Sequence, residues 1–497
     1  MGQLKRLASQ TAVYGVSSIL GRVLNYALVP LHTSIFSRGE MGNVVYLYTW
    51  VAFLMVFYTF GMETTLFRFS NKDKETNYFN YTGTFVLLLS ALLTVLILFF
   101  NHSIAYYLDQ ENTTYLIKWL AVILFVDAFT AIPFAKLRLE NKAKYFAIAK
   151  MTNIGLNIGL QVLFLFVFPA IMKGDYLVGL KPFVSSFFDN NLGVGYIFLA
   201  NLIANLFLLV LLWKPLSQFR IAYNTKIMLP MLRYATPIVL TGFAGIASER
   251  IDVLMLEQLL PTSFYENMTT KEAIGLYGQT MKLSIFMLLA IQAFRYAGEP
   301  FFFSQAGNKD SPQLFAKILH YFVLLSLILF VGVSVNIDLI GHIFLRKAIF
   351  REALYLVPIL LFGKLLWGIY INLSIWFKLS DKTIFGTYFS VLGASITILV
   401  NLLLIPIIGF DGSAVAMVAC YFTMTLACYF YGQKYYPIPY NFKPLVIHIF
   451  IAIAIVYGAQ HLNFTNVILQ YGAGFLIVLL YIAGIWVVER KSLNAQP

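Results

Sequence analysis

A chain of 497 residues in which 60% are hydrophobic and only 11% are charged cannot cover a water-soluble fold, whose sequence is about a quarter charged. The formal net charge of +13 does not point to a nucleic-acid partner. The basic residues fall in short clusters between apolar runs, where membrane topology and anionic headgroups account for them.

The first apolar run starts near Thr11. It is too long for the core of a cleaved leader and carries no small-residue cleavage site, so it reads as a retained first span. Runs of about 20 apolar residues cross the hydrocarbon core as helices, and about fourteen follow one another here. They lie near 11–35, 43–66, 81–101, 115–135, 145–171, 192–213 and 232–258, then 274–300, 315–337, 353–376, 383–407, 412–432, 443–460 and 467–488. The expected class is an all-α integral membrane protein, with no connection long enough to fold as a separate domain. Aromatics at 17% suit a chain with two membrane–water interfaces to anchor. Cys420 and Cys428, eight positions apart in one run, would be about 12 Å apart along a helix, too far for a disulfide. The six histidines are scattered, and no metal-ligand spacing is present.

Lysine and arginine set the orientation. Lys5 and Arg6 precede the first run. Alternate connections then carry Arg68, Lys72 and Lys74; Lys136, Arg138, Lys142 and Lys144; Lys214, Arg220 and Lys226; Lys309 and Lys317; Lys378 and Lys382; Lys434; and finally Arg490 and Lys491. The intervening connections are poorer in positive charge, with the exception of Arg346, Lys347 and Arg351. Both termini are expected in the cytoplasm.

The chain repeats itself. Glu40-Met41-Gly42 stands between the first and second runs, and Glu272-Ala273-Ile274-Gly275 between the seventh and eighth. Lys142 precedes Gln161 by nineteen residues, and Lys382 precedes Asn401 by the same interval; Asn157 and Thr397 match at one offset. Two parallel six-helix lobes, 1–213 and 232–432, are expected around a central cleft, joined by a cytoplasmic linker at 214–231. Residues 433–497 would add two peripheral helices and a tail.

Lys382, a long apolar helix ending in Asn401-Leu402-Leu403-Leu404-Ile405-Pro406, and the turn Gly409-Phe410-Asp411-Gly412-Ser413-Ala414 form one signature. With Ala12 to Pro30, Gly42 and Gly275-Leu276-Tyr277, the sequence resembles the polysaccharide-flippase (Wzx-like) branch of the multidrug/oligosaccharidyl-lipid/polysaccharide exporter superfamily. The resemblance implies two six-helix lobes with two peripheral helices in a bacterial cytoplasmic membrane. It also implies transport of an undecaprenyl-pyrophosphate-linked glycan toward the periplasm without ATP hydrolysis. Expected partners are the lipid-linked oligosaccharide, membrane lipids and polysaccharide polymerase machinery, with a monomer as the working unit.

Charges inside spans are expensive and mark cavities or partners. Arg22, Arg250, Lys282 and Lys364 are the candidate pyrophosphate site, because fixed cations replace the hydration a pyrophosphate loses and arginine matches phosphate oxygens. Asn25, Asn157, Gln161 and Asn401 are candidate sugar contacts; helix packing is the alternative for Asn157, Gln161 and Asn401. Asp127 and Asp252 are candidates for coupling to H+ or Na+. Local neutralisation competes with these readings: Glu249 or Asp252 with Arg250, and Arg295 with Glu299 at i,i+4. Glu63, near a span end, reads as a headgroup-level residue. No phosphate-binding loop is present, since Pro358 stands where the Gly363-Lys364 pair would need glycine; no cofactor is expected. A lipid II flippase and an ion-coupled drug exporter are the competing transport readings. A membrane enzyme would need a sizeable extramembrane loop with paired acids, and none is present.

Overall fold

The computed structural model describes residues 15, 17, 19–305, 310–462 and 466–494. Lys5, Arg6 and Lys309 lie outside the described residues, as do the side chains of Glu299 and Lys491.

Among the described residues every regular element is helical. Residues 19–26 are helical and precede α1 (Val29–Ile35), α2 (Arg38–Thr59), α3 (Met62–Lys72), α4 (Tyr78–Phe99), α5 (Thr114–Leu139), α6 (Ala143–Val162), α7 (Gly195–Leu211) and α8 (Thr225–Leu259). Then come α9 (Thr270–Lys282), α10 (Ile285–Gln305), α11 (Ser311–Val335), α12 (Val357–Leu373), α13 (Ile384–Ile408), α14 (Phe410–Tyr435), α15 (Phe442–Gln460) and α16 (Val467–Asn494). The chain divides into two compact units, Met1–Ile246 and Ala247–Pro497.

Eleven helices among the described residues are long and apolar enough to cross a membrane. The bent pair α9–α10 makes a twelfth if it is counted as one span, and α7 is a shorter apolar helix. Each of the fourteen runs read from the sequence meets a helix, the first being described only in part. The outer surface is what lipid solvation demands. On α4, Leu88, Leu92 and Val95 form one stripe, 57–61% exposed, with hydrocarbon as its natural cover. The opposite faces of α3, α4 and α5 close on a core containing Tyr58, Met62, Leu66, Val86, Leu124 and Ile132.

The eighth run, expected as one span, is instead bent by 45° between α9 and α10. No proline causes the break. Ser284 Oγ donates to the Met281 carbonyl at 2.7 Å, a side-chain bond that competes with the helical ladder.

The repeat has an atomic counterpart within each unit. Ser37 Oγ accepts from the Glu40 N–H at 3.3 Å while Glu40 Oε2 accepts from the Ser37 N–H at 2.8 Å. Thr269 and Glu272 do the same at 3.3 and 2.9 Å. These reciprocal caps satisfy otherwise orphaned N–H groups, so the two glutamates start α2 and α9 alike. The turns before α6 and α13 also match. Asn141 (φ 55°) and Asp381 (φ 54°) both adopt the left-handed conformation. The next N–H groups, of Lys142 and Lys382, reach back to Leu137 and Phe377 at 2.8 and 2.9 Å.

The signature around Pro406 is a packing device. Gly409 (φ 62°) ends α13, and a β-carbon there would stand 2.2 Å from the Tyr265 hydroxyl. A β-carbon on Gly412 would meet the Leu404 backbone at 2.8 Å, so only glycine lets α13 and α14 approach. Cys420 and Cys428 are both buried and free.

Candidate functional site

A buried charge is retained only when partners replace the water it loses. In the second unit, α8, α9, α12 and α14 bring such groups together. Lys364, on α12, is buried, with its ammonium 3.5 Å from Glu249 Oε1 on α8. The same ammonium stands 5.8 Å from the Trp367 ring and 5.7 Å from the Tyr421 ring. One turn along α8, the Tyr277 hydroxyl donates to Asp252 Oδ2 at 2.6 Å, and both residues are buried. Lys282, which ends α9, donates to Gln279 at 3.1 Å. Arg250 is close enough to interact electrostatically with both Lys282 and Asp252.

Three of the four predicted phosphate-binding cations therefore belong to one cluster, where Arg250, Lys282 and Lys364 face Glu249 and Asp252. Asp252 lies in the field of Arg250, in line with one of the pairings read from the sequence. Glu249 lies against Lys364, a partner on another helix that in-helix spacing could not reveal. Its carboxyl side is also the more accessible one, 41% exposed against 5% for the lysine. An anion entering from that side would compete with Glu249 for the ammonium. Chemically the cluster can take up a diphosphate-like charge, releasing a carboxylate that then needs a proton or a cation.

The first unit holds a polar network within its apolar helices. Asp127, on α5, bonds to the Asn205 side chain and lies in the field of Lys150. Asn153 donates to Asn205 Oδ1 at 3.2 Å and to the Ala204 carbonyl at 2.8 Å, and Asn201 donates to the Tyr48 hydroxyl at 2.9 Å. Further along α6, Gln161 donates to Asn157 at 3.0 Å. His32 Nε2 donates to Gln161 Oε1 at 2.7 Å, which fixes the proton on that ring nitrogen.

The remaining candidates are placed as follows. Arg22 and Asn25 are exposed on the helical segment 19–26. Asn401 is buried: it accepts from Ser413 and donates to the Thr397 carbonyl, each at 2.8 Å, tying α13 to α14. Gln161 is buried as well, so in this structure both amides serve helix packing. Glu63 pairs with Arg138 at the ends of their helices.

Lys150, Asn153, Asn201, Asn205, His32 and Glu257 were not singled out from the sequence. Glu257 pairs with Lys271 at 2.6 Å. Each lies inside or beside an apolar run, and the rule that intramembrane polar groups mark function or packing applied to them equally.

Comparison with known proteins bears on the fold. The family model described as "Polysaccharide biosynthesis protein" matches residues 34–172. The structure of the lipid II flippase MurJ in an inward closed conformation aligns with a TM-score of 0.71 and 14% identity, covering 97% of this chain and 100% of that one. An inward-facing multidrug resistance MATE family transporter of the MOP superfamily aligns at 0.59 and 14%, covering 83% and 94%. A Vibrio cholerae MATE transporter aligns at 0.55 and 14%, covering 87% and 98%. No curated protein matches in sequence. The resemblance read from the sequence is thus borne out, and the chain is a multi-pass membrane protein with the fold of these transporters.

Proposed function

We propose that this chain moves an undecaprenyl-pyrophosphate-linked oligosaccharide from the cytoplasmic to the periplasmic leaflet of a bacterial inner membrane, for surface polysaccharide synthesis. The carrying observation is the cluster of Arg250, Lys282 and Lys364 inside the second unit. Three cations against two carboxylates leave a positive excess where hydrocarbon would otherwise exclude charge. A pyrophosphate is the group on such a lipid that repays their burial. Transport proceeds by alternating access, with Arg22 as a further candidate cation for the same anion, and the chain itself catalyses no reaction.

Both termini are cytoplasmic in this reading, a monomer suffices, and polymerase machinery receives the product. The lobes run 1–213 and 232–432, with 214–231 as linker and 433–497 as the added helices.

The test is export in a strain lacking the native chain. Arg250→Gln with Lys364→Gln should abolish surface glycan and leave undecaprenyl-linked repeat units on the cytoplasmic face. Each lost charge-assisted bond costs about 2 kcal/mol, roughly thirtyfold in affinity. Normal export by the double variant, at normal membrane levels, would sink the cationic site.

The likeness to a lipid II flippase along 97% of the chain favours a second reading, since lipid II carries the same pyrophosphate. Rescue of a strain depleted of its lipid II flippase would select it. Loss of drug resistance with normal surface glycan would instead select a drug exporter.

A further inference from the structure

At the lysine-rich end of the first unit, α5 closes with Glu140, α6 opens after Lys142, and α7 runs into a short helix, Trp213–Ser217. Between them lies a cavity of ≈ 360 Å³ lined in part by Glu140, Lys142, Tyr145, Lys214 and Gln218. Its walls are fixed. The Tyr145 hydroxyl donates to the Leu211 carbonyl at 2.6 Å, and Lys136 donates to Gln218 at 2.5 Å while lying 4.3 Å from the Phe79 ring.

The charges do not balance. Glu140 is shared by Lys142 at 2.6 Å and Lys136 at 3.7 Å. Lys214 lines the same cavity and pairs with no carboxylate among the described residues. Three ammoniums thus stand against one carboxylate.

The chain that leads into Lys214 is apolar on its exposed side. Phe207, Val210 and Trp213 follow at intervals of three residues, 40%, 64% and 69% exposed, and lead directly to Lys214. Such a stripe suits an acyl chain, and a tryptophan at its end suits the headgroup level.

We propose that this cavity is a binding site for the phosphodiester headgroup of an anionic glycerophospholipid, whose acyl chain follows the Phe207–Trp213 stripe. The phosphate lies between Lys142 and Lys214. A free anion would gain the same ammoniums but nothing from the stripe, which is why the lipid is favoured. The site is independent of the cation cluster in the second unit and of the cargo carried there.

The experiment is a titration of the purified full-length protein in neutral detergent, with bound lipid read by native mass spectrometry. Phosphatidylglycerol is expected to bind in a one-to-one adduct that phosphatidylcholine does not form. A lysine beside a membrane surface contributes about 1 kcal/mol toward an anionic lipid. Lys214→Gln should therefore weaken the adduct about fivefold, and Lys142→Gln with Lys214→Gln about twenty-five-fold. Lys72→Gln with Lys74→Gln, both exposed and neither lining the cavity, should leave it unchanged. Equal binding of phosphatidylcholine, equal weakening by the Lys72 and Lys74 pair, or displacement by an equal concentration of inorganic phosphate would each overturn the assignment. All four lysines are surface positions, so the variants keep the fold, and an unchanged melting temperature verifies it.

Discussion

Asp73 sits in the turn between α3 and α4, outside the spans, and shows how one side chain can organise a connection. Its carboxyl is held below the usual carboxylate range by the Thr76 side chain first, then by the Glu75 N–H, with the Tyr78 hydroxyl and the Thr76 N–H assisting. The Glu75 N–H is 2.9 Å from Oδ1 and the Tyr78 hydroxyl 3.2 Å from Oδ2. A carboxyl with a native pKa below its unfolded value of about 3.9 contributes fully above that value, and loses the contribution as pH falls through the native one. The turn should hold at neutral pH and open on acidification below about pH 4. Protection of the Glu75 and Thr76 amides from hydrogen exchange should fall across that range, and Asp73→Asn should remove the step; a flat pH profile in the native chain would refute it. The same scale shows what sequence reading could and could not reach. Arg250, Lys282 and Lys364 were legible because a cation in an apolar run is conspicuous. That Lys364 meets Glu249, or that Gln161 meets His32, was not legible, because each pairing depends on how one helix is rotated against another.

At the level of elements, the turns were more legible than the contacts between helices. Caps and left-handed turns are local, so Glu40 with Glu272 and Lys142 with Lys382 carried the repeat into the sequence as plain spacing. The break between α9 and α10 was missed because Ser284 is an ordinary residue in a span and acts only through its bond to Met281. The last two helices illustrate the non-local case. Both α15 and α16 pack on α11, and Glu489 on α16 stands 3.0 Å from His320 of α11 and 3.8 Å from His448 of α15. One carboxylate thereby ties three helices at their lysine-rich end. Glu489→Ala should cost about 1.5 kcal/mol locally, or roughly tenfold faster amide exchange in α16. Exchange in α5, in the other unit, should not change. Uniform acceleration throughout the chain would instead mean that the residue supports global stability.

For the whole molecule, the proposed function raises the matter of what drives net transport. The sequence has no G-x-x-x-x-G-K-S/T pattern, and in the proposed function directionality comes from substrate supply or from an ion gradient. We place the coupling at Asp127 or Asp252, one in each unit, and their surroundings argue for different roles. Asp252 is buried and already holds the Tyr277 hydroxyl beside the cation cluster. Taking up a proton there would remove the charge that opposes Arg250, and would make the cluster more receptive to a pyrophosphate. Asp127 lies among amides and Lys150, a setting that offers oxygen ligands from Asn205 and its neighbours to a small cation. The two cases separate in proteoliposomes under imposed gradients. If Asp252 couples, Asp252→Asn should flip substrate at a rate insensitive to a proton gradient, while Asp127→Asn keeps the native dependence. If Asp127 couples, the pattern reverses, and sodium becomes the gradient to vary. Should both variants retain full gradient dependence, neither carboxylate couples, and the force must enter through another group.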